Sequence, residues 1–259
     1  MTMRSVLLMT VLGLWMVAGV SCAPAPTNSP EVLLERAKLR RRDQKWDESV
    51  QLLTDAIAQS PTNANLYYER ALTRVGAGQL DLAVADYDQA IQLRPEYVEA
   101  HNNRAALLGQ LKRFDEAAAG FTRAIEINGN DLLAIRNRGL VYHDLKDYAK
   151  SIADFDRAIQ LDPASVECWF MRGNACLDGD QLDEAVRSFT EAIRINPQHA
   201  MSFLNRSHAY EKLGQTDAAA KDLARAKSIN PQIDSPPEAA AEEVAPDPTD
   251  ASDQLSPEK

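Results

Sequence analysis

The stretch YAKSIADFDRAIQLDP, residues 148–163, returns in altered form as LDLAVADYDQAIQLRP at 80–95 and as LDEAVRSFTEAIRINP at 182–197. Within it Ser151, Phe155 and Ala158 stand at the i, i+4, i+7 spacing of one helix face, and Pro163 ends the run because proline cannot continue a helix. At steps of 34 residues the Ala158 place holds Ala56, Ala90, Ala124, Ala192 and Ala226. Pro163 shares its place with Pro61, Pro95, Pro197 and Pro231, and Gly129 fills the remaining one. A fixed period of this length is the signature of a solenoid, in which each unit cannot bury its apolar face alone and stacks on its neighbours.

A second helix precedes this one in every period. Its small residues are Ala37, Ala71, Ala105, Gly139, Gly173 and Ser207, each four residues after a large one: Leu33, Tyr67, His101, Ile135, Trp169 and Phe203. These small residues face the bulky side chains Leu53, Tyr87, Phe121, Phe155, Phe189 and Leu223 of the other helix. Hairpin turns are expected near Lys45-Trp46-Asp47, Gln79-Leu80-Asp81, Arg113-Phe114-Asp115, Asp147-Tyr148-Ala149, Gln181-Leu182-Asp183 and Gln215-Thr216-Asp217. The pattern resembles the tetratricopeptide repeat (TPR) family from Pro30 to about Gln232. The resemblance implies an all-α, right-handed α-solenoid of six helical hairpins, with repeats at about 30–63, 64–97, 98–131, 132–165, 166–199 and 200–232.

The chain begins differently. Arg4 leads an apolar run from Val6 to Val20, long enough for the core of an export signal and short of the roughly 20 residues that span a bilayer. Ala18-Gly19-Val20-Ser21-Cys22 resembles a bacterial lipobox, with Gly19 where leucine is usual. The resemblance implies a signal peptide over 1–21, acylation of Cys22, a tether over 22–29, and retention at a bacterial membrane. With Ala23 after the cysteine, it implies the periplasmic face of an outer membrane where one exists. Plain secretion, with cleavage after Ala23 or Ala25, and an uncleaved anchor are the alternatives.

At the other end the isoleucine place held by Ile57, Ile91, Ile125, Ile159 and Ile193 becomes Lys227, so the outer face of the last repeat turns polar. No amphipathic capping helix follows, which leaves this end self-capped or open. Residues 233–259 carry Pro236-Pro237, Glu242-Glu243 and scattered Asp, the composition of an acidic, Pro-rich disordered tail.

Composition excludes several functions. A net charge of −10 argues against nucleic acid, whose binders present excess Lys and Arg. His101, His143, His199 and His208 occupy different places in the period, and no phosphate loop or nucleophile elbow is present, so no metal, cofactor or catalytic activity is expected. Cys168 and Cys176 share a helix about 12 Å apart by helical rise, beyond the reach of a disulfide.

What remains is the inner face of the solenoid. Asn103, Asn137 and Asn205 share one place and resemble the asparagine ladder of protein O-glycosyltransferase repeats, whose amides donate to and accept from a peptide backbone. Glu35, Glu69 and Met171 interrupt the series, and Asn174 lies one turn along from Met171. Around these, Tyr68, Asn102, Arg136, Phe170 and Leu204 are expected to line a peptide-binding groove. A merely solvated inner face is the alternative.

Arg36, Arg70, Arg104, Arg138, Arg172 and Arg206 form a complete series. With Asp86, Asp154 and Asp222 on the facing helix in alternate repeats, it reads as ion pairing across the hairpin, with an anion-binding stripe as the alternative. No three successive repeats supply the carboxylate clamp of chaperone adaptors. The expected function is a membrane-anchored adaptor that binds a protein or peptide segment of an envelope partner. A pilotin-like outer-membrane assembly factor and a self-assembling scaffold are the alternatives.

Overall fold

The computed structural model describes residues 28–233. The expected signal segment, Cys22, most of the tether and the tail from residue 234 lie outside the described residues. Twelve α-helices and no strand are present among the described residues, in pairs. The first helices are α1 (Pro30–Arg42), α3 (Ala64–Gly76), α5 (Val98–Gln110), α7 (Leu132–Asp144), α9 (Val166–Asp178) and α11 (Ala200–Lys212). Their partners are α2 (Trp46–Gln59), α4 (Leu80–Leu93), α6 (Phe114–Ile127), α8 (Tyr148–Leu161), α10 (Leu182–Ile195) and α12 (Thr216–Ile229). The protein is an α-solenoid of six hairpins.

Each hairpin turns in the same way. The residue after the first helix's cap is left-handed in all six: Gln44, Gly78, Lys112, Lys146, Asp180 and Gly214, with φ between 56° and 74°. Two backbone bonds close each turn. In the fourth hairpin Asp147 N–H donates to Tyr142 O at 2.9 Å and Lys146 N–H to His143 O at 2.8 Å, the Schellman pattern that satisfies the last carbonyls of a helix. Only two of the six positions are glycine, so four side chains sit in a conformation costly for L-residues. Several first helices are started by side-chain caps, among them Ser29, Asn63, Asp131 and Ser165.

The alanines of the second helix, Ala56, Ala90, Ala124, Ala158, Ala192 and Ala226, are all fully buried. The bulky residues three positions earlier, Leu53, Tyr87, Phe121, Phe155 and Phe189, are at most 1% exposed, each contributing about 1.5–3 kcal/mol by burial. The small residue opposite them sets how closely the two helices approach. A Cβ on Gly173 would lie 2.5 Å from the Phe189 ring, closer than atoms can sit.

Neighbouring first helices touch directly, α1 with α3, α5 with α7, α7 with α9 and α9 with α11, so the odd-numbered helices line the inner side. At the carboxyl end of the described residues the chain folds back on the last hairpin. Ile233 is buried against Phe203, Leu204 and Ala226, and the outer side of α12 carries exposed Ala220, Ala224 and Lys227 where earlier repeats carry larger or hydrogen-bonding residues.

Candidate binding groove

The asparagine series divides into three situations. Asn103 is half-buried and donates to the Tyr68 hydroxyl at 3.0 Å. Asn205, only 2% exposed, donates to Asn174 Oδ1 at 2.8 Å, while its own Oδ1 is buried without a partner. Asn137, midway along the array and half-buried, has no hydrogen-bond partner among the described residues. In the second repeat Glu69 takes this place and reaches back to Arg41 at 2.7 Å. The ladder thus links each repeat to the one before it wherever a partner is in reach.

The residues expected to form side-chain pockets are placed differently. Asn102, Phe170 and Leu204 are buried rather than presented, at 7%, 7% and 3% exposure, and Tyr68 and Arg136 are half-buried. The cause is packing along the array: Tyr68, Asn102, Arg136 and Phe170 each meet a residue near the start of the next first helix, and Leu204, in the last repeat, meets the segment that follows α12. Tyr68 lies on Tyr97 with ring centroids 4.9 Å apart. The Asn102 amide donates to Asp131 at 2.7 Å, and Arg136 pairs with Glu167 at 2.8 Å. Phe170 sits edge-on to His199 at 5.0 Å, and Leu204 packs with Ile233. The first four are inter-repeat fasteners, and the chemistry of each partner matches its own.

Burial at the fasteners moves ionisation. It raises the Tyr68 phenol, pushes Tyr97 up to about 12, and lowers the His199 imidazole. It also raises the free thiols Cys168 and Cys176, the latter to about 11, leaving both unreactive where they pack in α9.

Between the fasteners the inner helices carry apolar side chains one turn either side of the amides. Leu133, 45% exposed, precedes Asn137 by four residues, and half-buried Leu140 follows it by three. On α3 Leu72 follows Glu69 by three residues, on α9 Met171 holds the amide's own place, and on α11 Met201 precedes Asn205 by four. The same helices hold polar atoms buried without partners, Asn102 Oδ1, Arg136 Nε and Asn205 Oδ1, each carrying a desolvation cost. At one margin His143 Nε2 meets Asp178 at 2.9 Å. Among the described residues no group of three or more His, Cys, Asp or Glu side chains could hold a metal ion, and no helix is long and apolar enough to cross a membrane.

The arginine series is structural, with an alternation that single-position reading of the sequence missed. Arg70, Arg138 and Arg206 grip Asp86, Asp154 and Asp222 of their own hairpins and donate to Thr54, Thr122 and Thr190 of the preceding one. In the repeats between, the acid lies on the other side. Arg104 pairs with Asp88, and Arg172 with Asp156, both at 2.6 Å and both on the preceding hairpin. The signal lay 16 residues before each arginine, alternately threonine and aspartate.

Family models of the tetratricopeptide repeat match residues 98–131, 133–165, 166–199 and 202–233, and a TPR repeat model matches 73–112. Together these segments make up more than half of the chain. Over 74 residues, 29% of this chain, it is 35% identical to "Protein SGT1 homolog" of Oryza sativa subsp. japonica, and it spans only 20% of that protein's length. Among solved structures it is similar to YrrB, described as a TPR protein with an unusual peptide-binding site: 24% identity, 70% of this chain and 93% of that one, TM-score 0.63. It is similar also to PilW, described as a widely conserved type IV pilus biogenesis factor: 20% identity, 79% and 95% covered, TM-score 0.63. At these identities the likeness is one of fold.

Proposed function

We propose that this chain of tetratricopeptide repeats is a membrane-anchored adaptor, held by an acylated Cys22 and binding an apolar or amphipathic segment of another envelope protein on its inner face. The observation that carries the reading is the middle of the array, where the uncommitted Asn137 amide stands along α7 between exposed Leu133 and half-buried Leu140. Such a surface offers hydrogen bonds to a main chain and apolar area to its side chains. It carries little fixed charge to select an acidic or basic ligand. The amide of Asn137 contributes about 1 kcal/mol per bond, so affinity would come from repetition along the groove.

A photoreactive residue placed at Asn137 in intact cells tests the reading. One dominant captured protein would establish the adaptor and name its partner. Capture of nothing, or of this chain alone, would remove it. An assembly factor for an outer-membrane pore, in the manner of pilotins, is a narrower form of the same proposal. It requires the captured protein to be a pore subunit and pore assembly to fail without this chain.

A further inference from the structure

The amino end of the solenoid is unfinished, and its own interior shows what would finish it. In each of the later repeats the first helix turns one stripe of residues toward the second helix of the repeat before it. Thr73, Leu107, Val141, Ala175 and Ala209 on that stripe are at most 6% exposed, and Thr73 touches Ser49 of the preceding helix at 3.3 Å. Leu39 holds the same place on α1 and is 51% exposed. Arg36, one turn before it, is the one member of the arginine series with no carboxylate partner among the described residues. It meets only Asn28 Oδ1, and Leu52 stands where an acid of its own hairpin would be.

The covering helix has a defined chemistry in all five internal interfaces. It presents an aliphatic residue such as Val84, Ala118 or Ile152, then four residues on Thr or Asp, then three further on an isoleucine, as in Ile57, Ile125 and Ile159. The middle residue bonds the arginine: Thr in front of Arg70, Arg138 and Arg206, and Asp in front of Arg104 and Arg172. Arg36 belongs by its place in this alternation with Arg104 and Arg172, whose own hairpins carry no aspartate sixteen residues on, Glu184 reaching Arg172 only at 3.6 Å. The missing residue in front of it is an aspartate.

Among the described residues nothing covers this edge, and the sequence ahead of it lacks the pattern. One period before the first covering helix, the three places hold Met16, Val20 and Ala23, without a carboxylate, and Pro24 and Pro26 follow. The outward side of α12 presents Ala220, Ala224 and Lys227, so a second copy stacked head to tail offers neither the acid nor the isoleucine. We propose that the outer edge of α1, centred on Arg36 and Leu39, docks an amphipathic helix of a partner protein that carries an aliphatic residue, an aspartate four residues later and an isoleucine three after that. The contact would extend the repeat-to-repeat interface by one helix. It is separate from the inner groove.

The array contains a probe of the right chemistry. A fluorescent peptide of residues 146–163 carries Ile152, Asp156 and Ile159 in the required order. Titrated against the full chain and followed by anisotropy, it should bind saturably. Leu39→Lys or Arg36→Ala in the protein, or Asp156→Ala in the peptide, should each weaken it on the order of tenfold, the scale of one charge-assisted hydrogen bond or one buried leucine. Asn137→Ala should leave binding unchanged, which separates this edge from the groove. Absence of saturable binding, or binding indifferent to Leu39→Lys, overturns the proposal. So does self-association of the full chain that Leu39→Lys abolishes, because the occupant is then a second copy, pairing Arg36 with Asp43 across an antiparallel α1 contact.

Discussion

Arg138 holds Asp154 through two parallel hydrogen bonds of 2.8 and 2.7 Å, on a carboxylate whose side chain is 8% exposed. One repeat on, Arg172 meets Asp156, whose side chain is 47% exposed. Removing one partner of a buried pair leaves an uncompensated charge, whereas exposed pairs add little. Asp154→Ala should cost about 3–5 kcal/mol and Asp156→Ala about 1 kcal/mol or less, read from the shift of the urea midpoint. Equal losses would show that the alternation carries no energetic weight.

Gly139 and Gly173 occupy the same place in successive repeats, yet a Cβ would lie 3.2 Å from the Phe155 ring at the first and 2.5 Å from the Phe189 ring at the second. Alanine is favoured over glycine inside a helix by about 1 kcal/mol. Gly139→Ala should therefore be neutral or slightly stabilising, with the ring yielding a few tenths of an ångström. Gly173→Ala should lose about 1–3 kcal/mol through overpacking. Thermal melts of the two variants beside the parent decide it.

Burial holds the His199 imidazole below its ordinary 6.5, so the unfolded chain takes up the proton first. The stability contributed by the neutral ring is whole above about pH 6.5 and declines as pH falls from there through the lowered folded value. His199→Asn keeps a side chain suited to starting α11 and removes the titration. The parent should lose stability relative to this variant between about pH 6.5 and 5; parallel curves would mean that protonating His199 costs the fold nothing.

On the proposed lipid anchorage, Cys22→Ala should move the protein from the membrane to the soluble fraction of lysed cells, since acyl chains would supply the retention. An unchanged distribution would dispose of the lipobox reading and leave retention to the apolar run at 6–20. Cys168 and Cys176 provide an internal contrast. Both are buried, and neither should react with a thiol reagent until denaturant is added.

The period was legible because the same side chains return in the same place: the buried alanines, the knobs from Leu53 to Phe189, and the hairpin turns all follow from it. The turn conformation was less so, since only Gly78 and Gly214 announce a left-handed residue and Gln44, Lys112, Lys146 and Asp180 do not. At Asn102 and Phe170 the inner face is taken up by contacts between repeats, for a physical reason. Following one place through the repeats compares residues that never meet, whereas the contact runs from each of them to a residue near the start of the next repeat. Tyr68 with Tyr97, Asn102 with Asp131 and Phe170 with His199 are complementary pairs that become visible only when two different places are read together.

The alternation of acids also fixes how such an array can change length. Loss of residues 132–165 would bring Arg172 behind Thr122, with Ser188 on its other side and only the more distant Glu184, at 3.6 Å, to replace Asp156. Loss of 98–131 would instead crowd Arg138 between Asp88 and Asp154. Removing both together restores an aspartate before Arg172. The hairpin is the geometric unit of this solenoid, but its unit of inheritance, and of any attempt to shorten or lengthen it by design, is two hairpins.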